Sequence, residues 1–244
     1  MGDLAGHATF NALLQPDMAE DAVAFVDPPF NFNALEVAKW PAEVTGHFLL
    51  NSLCRRLGWS SLSGRRLLDF GCGVRFTRTI INLSVDIDFY AGIDANNEVV
   101  SWLKSEIADR RFRFEHLDMF NPMYRTNGSS SVDEDALKNL ALGDFDAACM
   151  FSVITHQMPN DSELIFKMLY RCVKPGGGLY FTAFTDESIR DYVEGDPSNP
   201  CHMSTYHPDF LIGLVSGSGW SVERVYLKSS LQQTGFVCRK GLGG

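Results

Sequence analysis

The residues able to do chemistry gather in a few places. Asp69 ends the apolar run Leu67-Leu68 and lies two residues before Gly71, with Cys72 and Gly73 following. That pattern reads as a buried strand breaking into a tight loop, then a helix from Val74 to about Val85. Gly71 and Gly73 have no Cβ, so the backbone can approach a bound molecule closely. Nucleotide-type ligands bind at such strand-to-helix turns. A carboxylate at Asp69 repels a pyrophosphate and suits a cation, which favours a positively charged nucleoside. Asp94 follows Gly73 by 21 residues, about where an acidic residue reaches a ribose hydroxyl pair. The other reading of Asp94 is a carboxylate at a helix N-terminus. His156 lies five residues beyond Phe151. An imidazole titrates near neutrality and suits proton removal from an alcohol. A histidine that only caps or packs in its loop is the alternative.

These residues need a scaffold, and the apolar patterning supplies one. Trp40-Pro41 opens a helix with apolar residues at Val44, Phe48, Leu49, Leu53 and Leu57 and a stop at Gly58. Phe89 to Asp94 reads as a second strand, and Asn96 or Asn97 caps the helix after it, with Val99, Val100, Leu103 and Ile107 on one side. Arg111 to Leu117 is a third strand ending at Asp118-Met119. Ser131 with Glu134 predicts a short capped helix, and Asn160 with Glu163 a second capping box. Phe145 to Phe151, nearly all apolar, is a fourth strand buried on both faces. Lys174 to Gly178 turns the chain into a fifth strand, Leu179 to Phe184. Pro208 starts a last helix, and strands follow near Ser221 to Leu227 and Phe236 to Arg239. Alternating strands and helices predict an α/β, doubly wound, mostly parallel sheet with helices on both faces.

With 244 residues, 45% of them hydrophobic, the chain can bury one large core. A net charge of −9 argues against a phosphate-tracking surface, so no nucleic-acid partner is expected. The six cysteines (54, 72, 149, 172, 201, 238) show no C-x-x-C pair, which suits reduced thiols better than a disulfide framework or a zinc site. Met1 to Leu14 lacks a basic region and a continuous apolar core, and no apolar run is long enough to span a bilayer. A cytoplasmic location with no membrane partner is expected.

From about Arg65 to Arg239 the chain resembles the class I S-adenosylmethionine-dependent methyltransferases. The likeness rests on motifs in the family's order: Leu68-Asp69-Phe70-Gly71-Cys72-Gly73, Ala91-Gly92-Ile93-Asp94, Glu115-His116-Leu117-Asp118-Met119, Phe145-Asp146 with Phe151 to His156, and Val173 to Gly177. The resemblance implies a seven-stranded Rossmann-like sheet whose last strand inserts antiparallel. It implies methyl transfer from S-adenosyl-L-methionine, leaving S-adenosyl-L-homocysteine. It also implies cofactor contacts at Asp69, Gly71, Cys72, Gly73, Asp94, Ala95, Asp118, Met119, Phe151 and Ser152. Asp118 would accept the adenine amine and Met119 pack on the ring; a helix cap at Asp118 and plain core at Phe151 are the rival readings. The family often has a third glycine where this chain has Arg75. Two readings of Arg75 are open: an ion pair with Asp69 or with the cofactor's carboxylate, or a side chain in solvent.

Residues 1–58 are expected to form an N-terminal helical cap and 59–244 the cofactor-binding core, with 185–207 a substrate-side loop carrying Tyr192, His202, Tyr206 and His207. The expected reaction is methylation of a small molecule, at a hydroxyl or carboxyl oxygen, with His156 as general base. N-methylation of an amine or peptide, or cofactor binding without catalysis, are the alternatives. An NAD-type oxidoreductase is disfavoured because Phe76 occupies a fingerprint glycine position. Two motifs are read as decoys. Asp27-Pro28-Pro29-Phe30 resembles an amino-methyltransferase motif but lies only about forty residues before the glycine turn, too few for the intervening elements those enzymes need. His202, His207 and Asp209 resemble metal ligands but sit at a helix start, so no metal is assigned.

Overall fold

The structure, a computed structural model, describes residues 41–117, 144–195, 203–227 and 233–242. Helix α1, Ala42–Leu57, begins after Pro41 and ends where Gly58 takes a left-handed conformation (φ 75) and its N–H returns to the Arg55 carbonyl. Its buried stripe runs through Gly46, Leu49, Leu50, Leu53 and Leu57. Phe48 stands one helical step off that stripe and is 64% exposed, although the apolar pattern groups it with the others.

Five strands pair in parallel: β1 (Arg66–Phe70), β2 (Phe89–Asp94), β3 (Phe112–His116), β4 (Phe145–Met150) and β5 (Val173–Thr185). Their order is β3-β2-β1-β4-β5. The last strands, β8 (Ser221–Tyr226) and β9 (Thr234–Arg239), extend the row, β9 lying antiparallel between β5 and β8. The implied seven-stranded row with an antiparallel insertion is therefore present. Two short strands add to it: β6 (Tyr192–Val193) and β7 (Thr205–Tyr206), the latter pairing with the end of β5 at Phe184 and Thr185.

Period-two alternation divides the core between the two faces of the sheet. Leu68, Phe70, Ala148, Met150 and Phe181 meet helix α4 (Pro159–Cys172) and α5 (Pro208–Gly217). Leu67, Tyr90, Cys149 and Tyr180 meet α1, α2 (Arg75–Asn82) and α3 (Asn97–Glu106). All six residues of β4 are buried, and each large side chain so placed stabilises the fold by roughly 1.5–3 kcal/mol. Helices α1 and α2 touch closely. A Cβ on Gly46 would meet Thr79 Oγ1 at 2.0 Å, so a mid-helix glycine, costing about 1 kcal/mol in helix propensity, is what that contact requires. Buried Glu43 completes the joint by accepting from Arg78 Nε at 2.9 Å and Asn82 Nδ2 at 2.8 Å.

Three local expectations need correction. The Asn160–Glu163 capping box is not made: α4 starts earlier, at Pro159, with Met158 as an N-cap that gives no side-chain bond, and Glu163 pairs with Lys167 instead. Proline at the first helical position, with its preset φ, decides the start. Strand β5 begins at Val173 rather than Leu179, because the glycine run is a bulge within the ladder, with Gly176 at φ 74 and Lys240 N–H bonded to the Gly177 carbonyl. Helix α2 ends at Asn82, short of Val85, where Ser84 turns the chain at φ 51. Asn96 does cap α3, its Oδ1 accepting from Glu98 and Val99 N–H. Residues 1–40, the Ser131–Glu134 box, Asp118, Met119, His202 and the Asp27–Phe30 motif lie outside the described residues.

Candidate functional site

Crossovers run one way from β1 to β2 and β3, and the other way from β4 to β5, so the strand order reverses between β1 and β4. Crevices at such switch points, beyond the carboxyl ends of the strands, bind ligands in open α/β sheets. The glycine loop Gly71 to Gly73 leaves β1 at that point. Its backbone is fastened from below: Gly71 N–H donates to the Ile93 carbonyl at 2.8 Å, Cys72 N–H to the same oxygen at 3.0 Å, and Gly73 N–H to Asp94 Oδ2 at 2.8 Å. Those three amides are therefore engaged within the protein and do not form an anion-binding nest for a pyrophosphate. Both glycines have positive φ, 77 and 48. A Cβ on Gly73 would meet nothing within 4 Å, so the loop faces open space there. A Cβ on Gly71 would come within 2.4 Å of Val153 Cγ2, which ties the loop to the segment leaving β4.

Asp94 joins both sides of this loop. Its Oδ1 accepts from Asn96 N–H at 2.8 Å while Oδ2 holds Gly73. Burial pushes its carboxyl up, and these N–H donors and the nearby His116 pull it back. Ala95, next in line, uses its carbonyl to bond His116 Nε2 at 3.2 Å. Asp69 lies beneath the loop, 3% exposed. Tyr90 Oη donates to its Oδ2 at 2.6 Å and Cys149 Sγ lies 3.5 Å from Oδ1. Burial drives its pKa up to about 7; the Tyr90 and Cys149 bonds and the Arg75 charge oppose this, while Asp94 adds to it. Asp69 thus lies as a buried carboxyl under the floor of the loop. Arg75, at the start of α2, has its stem against Gly46 and interacts electrostatically with Asp69. Cys72 is directed into the sheet, where its sulfur would lie 2.7 Å from a Cβ on Gly92, so its backbone alone belongs to the loop's outer face.

The second wall follows β4. Phe151 packs edge-on to Phe76 at 5.5 Å and against Tyr180 at 5.4 Å. Ser152 has φ 60, and a short 3-10 turn, Ile154–His156, comes next. The His156 imidazole is half-buried, and burial pushes its pKa below the ordinary histidine value. It is neutral at pH 7 and able to accept a proton. The expected substrate-side residues divide. Tyr206 is core, its hydroxyl donating to the Gln157 carbonyl at 2.7 Å and 3.0 Å from Ser162 Oγ. His207 caps α5, Nδ1 accepting from Asp209 N–H at 3.2 Å. Tyr192 is half-buried, with its hydroxyl 3.0 Å from Ser204 Oγ. A cavity of about 480 Å³ lined by Gly64, Asp86, Asp88, Arg110 and Arg111 lies at the opposite, amino-terminal edge of the strands, away from the crevice.

Tyr90, Cys149, Val153, Thr182 and Gln233 all touch the site, and the sequence reading missed them. Pairing β4 beside β1 would have placed Cys149 next to Asp69, its register partner. Gln233, 81 residues from Ser152, has no local signal.

This crevice on this sheet defines a class I, Rossmann-like methyltransferase that uses S-adenosylmethionine. A family model described as a methyltransferase domain matches residues 46–225, and the chain belongs to that family. Among solved structures, it is similar to an S-adenosylmethionine-dependent methyltransferase from Mesorhizobium loti, with a TM-score of 0.55 at 14% identity over 83% of this chain and 99% of that one. It is also similar to magnesium protoporphyrin IX methyltransferase from Synechocystis, with S-adenosylmethionine bound (0.53, 14%, 89% and 88%). A third likeness is to 1,6-didemethyltoxoflavin-N1-methyltransferase from Burkholderia thailandensis (0.52, 15%, 84% and 81%). No helix among the described residues is long and apolar enough to cross a membrane.

Proposed function

We propose that this chain methylates a small-molecule acceptor at oxygen, with His156 as the general base. The observation that carries the reading is the half-buried imidazole of His156. It is neutral at physiological pH and set in the turn that leaves β4 at the carboxyl edge of the sheet. The cofactor, when bound, supplies an electrophilic methyl on a sulfonium. The chain's own contribution is positional. Asp94 and the open face of Gly73 receive the nucleoside, and Phe151 and Ser152 border its methionine part. Asp69 and Arg75 set the charge beneath it. Holding acceptor and methyl in line provides much of the acceleration. Proton removal from a hydroxyl adds roughly 10²–10⁴-fold.

Residues 59–244 are read as the cofactor-binding unit and 1–58 as an N-terminal extension, of which the described helix α1 shares a core with β5 and α2. A low-charge, hydroxyl-bearing metabolite suits the acidic chain better than nucleic acid. Incubation with methyl-labelled S-adenosylmethionine and a metabolite extract, followed by mass spectrometry, should find a product heavier by one methylene. His156→Ala should lower the initial rate of label transfer by about hundredfold or more, with cofactor affinity unchanged by calorimetry. Full transfer by that variant would remove the base assignment.

A further inference from the structure

Ser152 is held in an unusual way. Three non-glycine residues among those described have positive φ: Ser84, Asp144 and Ser152. Ser84 and Asp144 precede β2 and β4, at the amino-terminal edge of the sheet, whereas Ser152 alone stands at the carboxyl edge, beside the crevice. A left-handed serine is strained and persists only where its surroundings impose it. Here three contacts do so. Ser152 N–H donates to Thr182 Oγ1 at 2.9 Å, beyond the last backbone pairing of β4 with β5. Ser152 Oγ accepts from Gln233 Nε2 at 2.8 Å, just ahead of β9. The Ser152 carbonyl accepts from Thr155 Oγ1 at 2.8 Å. Together the three bonds offset the strain.

The bend has consequences on both sides of the crevice. It places Val153 under Gly71. It also starts the turn that carries His156, whose N–H bonds the Val153 carbonyl at 3.0 Å. We infer that Thr182 and Gln233 are positioning residues, which clamp Ser152 in its left-handed conformation and so set where His156 stands at the acceptor side. The inference rests on the methyl-transfer reading for its effect on rate, and on the geometry alone for its effect on the turn.

The test uses the full chain. In cofactor-free protein, the Thr182→Val, Gln233→Leu double variant should exchange the His156 amide hydrogen at least about tenfold faster than the parent. With methyl-labelled S-adenosylmethionine and the metabolite extract, its initial rate of label transfer should fall about tenfold, while the calorimetric Kd for S-adenosylmethionine moves less than threefold. Adding Ser152→Gly, which removes the cost of positive φ, should recover most of both losses. Thr182→Ser, which keeps the hydroxyl, should match the parent. Unchanged exchange in the double variant, or no recovery with Ser152→Gly, overturns the clamp. Should the double variant fail to fold, Thr182→Val against Thr182→Ser decides alone, and equal exchange in the two overturns it. A parent protein that transfers no label sinks the methyl-transfer reading instead, and leaves the exchange measurement to judge the clamp.

Discussion

The two walls of the crevice are fastened by different means. On the glycine-loop side, backbone amides are tied to the backbone and to one carboxylate: Gly71 and Cys72 to Ile93, Gly73 and Asn96 to Asp94. On the side leaving β4, one strained residue is tied by side chains from β5 and from Gln233, just ahead of β9. Backbone ties are insensitive to most substitutions, so that wall suits the part of the ligand that does not vary. Side-chain ties can be changed one residue at a time, which suits the proposed acceptor side at His156, beyond the Phe151–Ser152 stretch read as bordering the cofactor. Substitutions in the first wall should therefore move cofactor affinity, and those in the second the rate of transfer.

The largest expected effect lies at Asp94. Asp94→Ala leaves two amides without their charged acceptor, each such bond contributing about 1.5–3 kcal/mol, and removes the carboxylate proposed to receive the nucleoside. Calorimetry should show S-adenosylmethionine affinity reduced at least about hundredfold. A loss under threefold would mean the loop keeps its shape without the carboxylate, and the contrast between the walls would fail. Gly71→Ala is intermediate and crosses the divide. At φ 77 an alanine costs about 1–2 kcal/mol, and its Cβ displaces Val153. Both cofactor affinity and label transfer should drop, each by roughly tenfold. Gly73→Ala, with open space around its Cβ, should weaken the cofactor while leaving His156 amide exchange at the parent rate.

The sequence disclosed these walls unequally, for physical reasons. The loop wall is local: an apolar run, a carboxylate, two glycines and a second carboxylate at the end of the next strand lie in one short stretch, and each has a backbone role that residue type reveals. Strand order and the antiparallel β9 were reachable only through the family resemblance, since periodicity gives the strands but not their neighbours. The β4 wall joins Ser152 to Thr182 and Gln233, 30 and 81 residues away, and a serine at positive φ has no signature of its own. The Asn160–Glu163 box shows a local rule losing to a stronger one, proline at the first turn. Phe48 shows the limit of counting apolar residues without fixing the centre of the stripe.

The smallest expected effect concerns Asp69, and it separates charge from shape in the loop wall. Its pKa is raised by burial to about 7, far above an unfolded aspartate. The sign follows from linkage: the folded protein without ligand retains this proton at mildly acidic pH, and loses the associated stability as pH rises from about 4 through 7. A cation bound above the loop favours the ionised form, so S-adenosylmethionine should bind more tightly as pH increases from 6 to 8, by up to about tenfold, with proton release near pH 7. Calorimetry in buffers of differing ionisation heat measures that release directly. Asp69→Asn should flatten the pH dependence while the loop's backbone bonds persist. Tyr90→Phe removes the 2.6 Å donor that lowers the Asp69 pKa, so the midpoint should move to higher pH. A parent affinity that is level from pH 6 to 8 would mean Asp69 serves the fold alone, leaving Asp94 and the glycines to hold the cofactor by shape and hydrogen bonding.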